Sequence, residues 1–293
     1  MDAYVLELSS FQLDSTATLN ADAATVLNVT EDHLDRYDGI EDYAASKARV
    51  YQGEGVQVVN RDDARSTAMA RPGRRIYSFG LDAPRSETEW GIIEHSGQAW
   101  LACGSHRLMP VSGLAVAGMH NAANALAAAA LCQAAGIEES IVSSALRAFR
   151  GLPHRVERIA VARGLTFYDD SKGTNVGATA AALAGFDAPV VLIAGGDGKQ
   201  QDFGPLREPV KRHARAVILI GRDREQIATA LAGCGVPIER AHDMQEAVVL
   251  AAAASRSGDG ILLSPACASF DMYRDYLERS AVFVAAVQSW VAQ

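Results

Sequence analysis

The chain has 293 residues, of which 49% are hydrophobic and 21% charged, a composition typical of a soluble globular protein long enough for two domains. Its formal net charge of -8, without a cluster of Lys and Arg, argues against a nucleic-acid surface, so no nucleic acid is expected as a partner. The four cysteines show no paired spacing, which argues against a zinc site or a disulfide framework and favours a reducing cytoplasm.

The first part of the chain combines short strands with helices. In chain order, the apolar patterns predict strands at 4–8 and 24–29, a helix at 40–51, strands at 56–60, 75–79 and 89–101, and helices at 119–135 and 138–149. The Ala-rich stretch at 121–135 is too short to span a bilayer, and no basic region precedes an apolar core at the N-terminus. Neither membrane insertion nor a signal peptide is expected.

From residue 152 onward the pattern changes to regular alternation. Predicted strands at 166–169, 190–194, 216–221 and 260–264 are separated by helical stretches rich in Ala and Leu. Such alternation implies βαβ units and a parallel sheet. Because Gly151-Leu152-Pro153 interrupts helix and strand alike, we predict an α/β protein with domains at 1–151 and 152–293.

The most informative polar run begins where the strand at 166–169 ends. It reads Asp169-Asp170-Ser171-Lys172-Gly173-Thr174-Asn175, and the next strand is followed by Gly195-Gly196-Asp197-Gly198-Lys199. Open parallel sheets bind ligands at the carboxyl ends of their strands, and two lysines supply the charge that a carboxylate or phosphoryl group requires. The pattern predicts a site for a small anion. The alternative is that Asp170 caps a helix starting near Thr174 and that 195–198 form only a tight turn.

The first part carries a second polar group of residues. Glu7 lies within the predicted strand 4–8, and Asp32 and His33 follow the strand at 24–29. Carboxylate oxygens at neighbouring strand ends suit Mg²⁺, and a glutamate buried in a strand without a partner would cost several kcal/mol. The alternative is that Thr30 or Asp32 starts a short helix and leaves His33 solvated.

Seven motifs in order resemble the motif series of the Mur ligase family, and they cover nearly the whole chain. They are the runs at 7–13, 28–36, 118–124, 151–155, 170–175, 195–199 and 263–271. The last run is most similar to that of members which add D-glutamate to UDP-N-acetylmuramoyl-L-alanine. The resemblance implies a truncated central ATPase-type domain followed by a Rossmann-like C-terminal domain with a mostly parallel sheet.

The resemblance also implies roles for individual residues. Glu7, His33 and Lys47 match positions that serve Mg²⁺, with Lys47 carbamylated because a free ammonium group would repel the metal. The positions that match those around ATP are Asn124, Arg155 and Asp170. The positions that match substrate contacts are Ser9, Lys172, Thr174, Lys199, Ser269, Phe270 and Tyr276, and the catalytic set comprises His33, Lys47, Lys172 and Lys199. Without the resemblance, Lys47 is interpreted as a solvated helix lysine.

The implied reaction is ATP-driven amide formation in peptidoglycan precursor synthesis by a cytoplasmic monomer. The carboxylate of UDP-N-acetylmuramoyl-L-alanine would attack the γ-phosphate, and the amine of D-glutamate would displace phosphate from the acyl phosphate. The sequence contains no Gly-x-x-x-x-Gly-Lys-Ser/Thr string, so we expect the back portion of a ligase, inactive by itself. The alternatives are another Mur-type or folylpolyglutamate-type ligase, or an incompetent fragment that binds an amino acid or nucleotide.

Overall fold

A computed structural model describes residues 3–116 and 118–293, and the chain divides into two compact units. The first unit runs to Val29 and from Arg36 to Arg150, and the second contains Thr30–Asp35 and Gly151–Gln293. Both units are α/β, which confirms the predicted fold class. Among the described residues, no helix combines the length and the apolar character needed to cross a membrane.

The first unit is built on a six-stranded sheet whose strands follow one another in chain order. The first four strands pair in parallel, and the fifth pairs antiparallel with both the fourth and the sixth. The strands are β1 (Ala23–Val26), β2 (Val56–Asn60), β3 (Ile76–Phe79), β4 (Glu89–His95), β5 (Gln98–Cys103) and β6 (His106–Pro110). The helices are α1 (Ser10–Ser15), α2 (Ile40–Ala48), α3 (Ala64–Ala68), α4 (Met119–Ala134) and α5 (Glu139–Ala148).

The core of the first unit lies between its sheet and α4. Trp90, Leu101 and Met109 are buried there against Leu126 and the alanines of α4. Small alanine side chains let the helix lie close to the sheet, and the larger sheet residues fill the space between them. This packing fixes the Ala-rich helix that the sequence analysis predicted at 119–135.

Two sequence predictions for this unit are wrong. Residues 4–8 form no strand, and Tyr4 and Val5 are 93% and 95% exposed. An apolar run becomes a strand only where a neighbouring strand takes its hydrogen bonds, and among the described residues β1 pairs only with β2. The single strand predicted at 89–101 is a hairpin, because β4 turns at Ser96-Gly97 into β5.

The second unit contains a mostly parallel sheet of order β11-β10-β9-β12-β8-β7, in which only β7 is antiparallel. The strands are β7 (Glu157–Ala162), β8 (Leu165–Asp169), β9 (Val190–Gly195), β10 (Ala214–Ile220), β11 (Ile238–Arg240) and β12 (Gly260–Leu263). The helices are α6 (Val176–Ala184), α7 (Arg207–His213), α8 (Arg224–Ala230), α9 (Met244–Ala254) and α10 (Tyr276–Ala292).

Helices cover both faces of this second sheet. Along β9, Val191 and Ile193 pack in the cluster that includes α9 and α10, whereas Val190 and Leu192 pack in the cluster that includes α6 to α8. A strand buried on both faces is apolar throughout, which explains why the sequence pattern located β9 and β12 closely. The edge strands β7 and β11 lack this pattern and were not predicted.

Two glycines allow the backbone to leave β9 at its carboxyl end. Gly195 and Gly196 have φ of +122° and +138°, in the region that favours glycine. A Cβ atom on Gly195 would lie 1.9 Å from the carbonyl oxygen of Ile220, and one on Gly196 would lie 2.3 Å from that of Ala268. The chain therefore passes between its neighbours only because neither residue carries a side chain.

Candidate functional site

The loops that follow β8, β9 and β12 meet at the carboxyl ends of the strands of the second sheet. Asp197, just after β9, forms an antiparallel bridge with Ala268, just after β12, through N–H···O bonds of 3.0 and 2.8 Å. This bridge brings the segment of Lys199 alongside the buried Ser269. Two of the predicted substrate contacts therefore lie on paired loops, as expected for strand ends at a common edge.

Arg279 of α10 joins the loop after β8 to the loop after β12. Its side chain is 1% exposed and donates to Ser171 Oγ (3.1 Å), to the Ser171 carbonyl (2.8 Å) and to the Cys267 carbonyl (3.0 Å). Burial lowers the pKa of this guanidinium to about 10. Arg279 was not predicted from the sequence, although its helical spacing of four residues from the buried Phe283 indicates the apolar face of α10.

Lys199 contacts the segment 30–35, which belongs to the same unit. Its ammonium group donates to Asp32 Oδ1 at 3.0 Å and lies 3.5 Å from His33 Nδ1. Asn175 Nδ2 approaches Asp32 Oδ2 at 3.4 Å, while Asn175 Oδ1 caps α6 by accepting from Ala178 N. The structure therefore gathers a lysine, an aspartate, a histidine and a helix N-terminus from distant parts of the chain.

Lys172 lies over an aromatic ring on the neighbouring helix α10. Its ammonium nitrogen is 4.2 Å from the ring centroid of Tyr276, a cation–π contact, and its backbone N–H donates to the carbonyl of His154 at 3.2 Å. The His154 ring lies edge-on to Tyr276, and its Nδ1 is 2.8 Å from the buried carboxylate of Asp169. Packing on both sides thus orients Lys172 and Tyr276, two predicted substrate contacts.

Asp170 is a buried carboxyl group at the end of β8. Burial raises its pKa to about 7, opposed by hydrogen bonds from Ser264 Oγ (2.6 Å) and Val156 N (3.3 Å) and by the charge of Arg155. It does not cap the following helix, because Asn175 does. The expected alternative of a simple capping role is therefore wrong for Asp170.

A cavity of about 450 Å³ lies beside Lys199. It is lined by Asp35, Asp197, Lys199, Gln200, Arg222, Asp223 and Gln226. Arg222 forms an ion pair with Asp197, and Asp223 Oδ2 accepts from the backbone N–H of Gly198 at 2.7 Å. Ionic side chains of both signs therefore surround Lys199 in a space large enough for a small ligand.

Six of the eight left-handed residues other than glycine that the structure describes lie in the site segments named above or directly beside them. Such conformations cost about 1–3 kcal/mol each and often mark functional loops. The residues have φ between +47° and +62° and are His33, His154, Val156, Lys199, Gln200 and Ala266.

The first unit holds four of the predicted site residues. Glu7 is exposed, so the energetic argument for a metal based on its burial is wrong, although its match to the motif is unaffected. Ser9 caps α1 in a reciprocal pair of hydrogen bonds with Gln12. Lys47, in the last turn of α2, places its ammonium nitrogen 4.7 Å from the ring centroid of Tyr43. Asn124 lies exposed on α4.

Within the second unit, Arg155 and Phe270 are exposed and Thr174 is partly buried. No helix starts at Thr30 or Asp32, so that alternative for His33 is wrong. Of the three predicted metal ligands, Glu7 and Lys47 belong to the first unit and His33 to the second. Their joint role stays a prediction.

Two family models match the chain: the Mur ligase middle domain over residues 1–132, and the Mur ligase glutamate ligase domain over residues 154–267. The UDP-N-acetylmuramoylalanine--D-glutamate ligase of Aromatoleum aromaticum is 57% identical over 289 residues, which cover 98% of this chain and 62% of the relative. The corresponding ligase of Nitrosospira multiformis is 56% identical over 292 residues, which cover 99% of this chain and 62% of the relative. The chain thus spans about 62% of the length of these relatives.

Solved structures share the fold at low sequence identity. The UDP-N-acetylmuramate-alanine ligase from Thermotoga maritima has a TM-score of 0.64 at 19% identity, covering 96% of this chain and 62% of that one. Mycobacterium tuberculosis folylpolyglutamate synthase complexed with ADP also has a TM-score of 0.64 at 19% identity, covering 94% of this chain and 64% of that one.

Proposed function

This chain belongs to the Mur ligase family, and we propose that it forms part of an ATP-dependent ligase that adds D-glutamate to UDP-N-acetylmuramoyl-L-alanine. The observation that carries the proposal is the pairing of the Lys199 and Ser269 loops at the carboxyl edge of the sheet. Similarity over nearly the whole chain to ligases named for D-glutamate supports that choice of amino acid.

The proposed amino-acid site lies in the second unit. Lys172 and Lys199 supply positive charge for the two carboxylates, and Thr174 and Ser269 supply hydroxyl groups that donate to carboxylate oxygens. Tyr276 forms a wall of the site and orients Lys172 through the cation–π contact. We expect these residues to position the amine of D-glutamate for attack on the acyl phosphate.

The proposed ATP contacts are Asn124, Arg155 and Asp170. A buried carboxyl group with a pKa of about 7 can donate or accept a hydrogen bond near neutral pH, which suits contact with a sugar hydroxyl. The charge of Arg155 opposes the rise in the pKa of Asp170, and this electrostatic interaction supports a shared role for the two residues.

The donor chemistry of Glu7, His33 and Lys47 fits Mg²⁺ if Lys47 is carbamylated. A carboxylate, an imidazole and a carbamate provide the oxygen-rich set that a hard divalent cation prefers, whereas a free ammonium group would oppose it. When bound, Mg²⁺ neutralises charge on the phosphate groups. We expect this protein's part in the reaction to be orientation of the muramoyl carboxylate, of ATP and of D-glutamate, with ADP and phosphate as the other products.

The test is phosphate release by a protein that carries this chain and the remaining length of its relatives. We expect release to require both UDP-N-acetylmuramoyl-L-alanine and D-glutamate, and L-glutamate to replace D-glutamate poorly. Lys199→Ala should lower kcat/KM for D-glutamate about tenfold to a hundredfold, since it removes a charged hydrogen-bond donor. The matched control is Lys211→Ala on the exposed side of α7. Equal use of both enantiomers, or equal loss in both variants, would contradict the proposal.

A further inference from the structure

The ion pair between Lys199 and Asp32 has no role in the ligand contacts proposed above. Both side chains are largely withdrawn from solvent, with 14% of Lys199 and 12% of Asp32 exposed. The positive charge proposed to hold a substrate carboxylate is thus already paired with a carboxylate of the protein. A ligand that takes Lys199 away from Asp32 would leave a poorly hydrated carboxylate without its cation, which is costly.

Asp32 has the capacity to accept another donor. Its Oδ1 accepts from Lys199 Nζ and from the backbone N–H of His33 at 2.9 Å. Its Oδ2 has Asn175 Nδ2 at 3.4 Å and His33 Nε2 at 3.7 Å. A carboxylate offers about four acceptor positions, so Oδ2 can take a charged donor in addition to the amide. Asn175 also follows the predicted substrate contact Thr174 directly, which places Asp32 next to the proposed amino-acid site.

We infer that Asp32 binds the α-ammonium group of the amino-acid substrate, while Lys199 moves from Asp32 to one of the substrate carboxylates. The inference rests on the proposed function and deepens it. A zwitterion carries both charges needed for this exchange: its carboxylate replaces Asp32 as the partner of Lys199, and its ammonium replaces Lys199 as the partner of Asp32. Neither of these partly buried charges is then left alone.

The exchange selects an amino dicarboxylate over a simple dicarboxylate. Glutarate has the two carboxylates of glutamate but no amino group, so it can occupy Lys199 only by leaving Asp32 unpaired. D-glutamate avoids that cost. Asp32 is therefore a specificity residue that recognises the group destined to form the new amide bond.

A purely inhibitory role for Asp32 makes a different prediction. If Asp32 only competes with ligands for Lys199, its removal should strengthen the binding of D-glutamate and glutarate by the same factor. If Asp32 binds the ammonium group, its removal should weaken D-glutamate relative to glutarate. The ratio of the two dissociation constants separates these roles, and a general loss of structure would not change that ratio selectively.

The experiment is calorimetric titration of D-glutamate and of glutarate into the 293-residue chain, without Mg²⁺, so that metal binding near His33 contributes nothing. We expect the wild-type chain to bind D-glutamate about tenfold or more tightly than glutarate, as one charged hydrogen bond allows. In Asp32→Asn the two dissociation constants should become about equal, and Asp32→Glu should retain part of the preference for D-glutamate. Glu31→Gln is the matched control, because it removes a neighbouring carboxylate that accepts from Asp202 N at 3.2 Å.

Each result supports or overturns the inference. A wild-type chain that binds both ligands equally overturns it without the need for any variant. An unchanged preference in Asp32→Asn overturns it too, and if D-glutamate binding is still lost in Lys199→Ala, the proposed function survives that failure. Absence of D-glutamate binding to the wild-type chain refutes the amino-acid site itself, and the inference with it.

Discussion

Replacing Asp170 by Asn should stabilise the protein in a way that depends on pH. Asp170 has an ordinary pKa of 3.8, which burial raises to about 7 in the folded chain. Each unit of difference corresponds to about 1.4 kcal/mol between the two protonation states. The ionised carboxylate therefore lowers the free energy of unfolding by about 4 kcal/mol at and above neutral pH.

The sign follows from the direction of the shift. The folded state binds the proton of Asp170 more tightly than the unfolded state does. The stability that the protonated carboxyl group contributes is therefore fully present below the unfolded pKa of 3.8. It is lost progressively as the pH rises to the folded pKa of about 7. Asparagine carries no charge at any of these pH values. It can accept from Val156 N and donate to Ser264 Oγ in place of the carboxyl group.

The assay is urea unfolding of the wild type and of Asp170→Asn at several values between about pH 4 and 7.5. The advantage of the variant should grow with pH by up to about 4 kcal/mol and then level off. Asp187→Asn is the matched control, because Asp187 is exposed in the same unit. An advantage of Asp170→Asn that stays constant across this range would refute the reasoning about the buried charge.

Two further predictions concern Arg279 and the proposed metal ligand Lys47. Arg279→Met should lower the free energy of unfolding by about 2–5 kcal/mol, since it leaves the Ser171 and Cys267 carbonyls without their donor. Urea unfolding measures this, and a loss below about 0.5 kcal/mol would contradict a structural role for these hydrogen bonds. Lys47→Ala should abolish turnover in an active ligase that contains this chain. Added short-chain carboxylic acids should restore part of the turnover by supplying oxygen ligands. Ordinary kinetics in that variant would show that Lys47 is only a helix lysine.

The sequence predicted best what depends on local burial. Strand β2 was predicted at its observed residues, and β9 and β12 to within one residue, because strands with apolar residues on both faces stand out from polar loops. Residues 4–8 show the limit of that signal. Their composition favours a strand. Whether a strand forms also depends on a neighbouring segment that can pair with it, and the pattern of residues 4–8 gives no information about such a segment.

The polar site was predictable only in part. The loops after β8 and β9 were identified because strand ends in a parallel sheet share an edge. The contact between Asp32 and Lys199 joins residues 167 positions apart, and the segment 30–35 lies in the second unit although its flanking residues lie in the first. No periodicity or spacing in the sequence indicates such a long-range ion pair. Arg279 was missed because a lone arginine in an apolar helix resembles a surface residue until its three acceptors are located.

Binding of the two enantiomers of glutamate to the 293-residue chain tests the central claim most directly. Backbone amide NMR shifts are followed while D- or L-glutamate is added to the wild type and to Lys199→Ala. We expect D-glutamate to shift the amide signals of the loops around Lys172, Lys199 and Ser269, and L-glutamate to shift them more weakly. Lys199→Ala should remove the response. Equal shifts with both enantiomers, or a D-glutamate response that persists in Lys199→Ala, would contradict the placement of the amino-acid site.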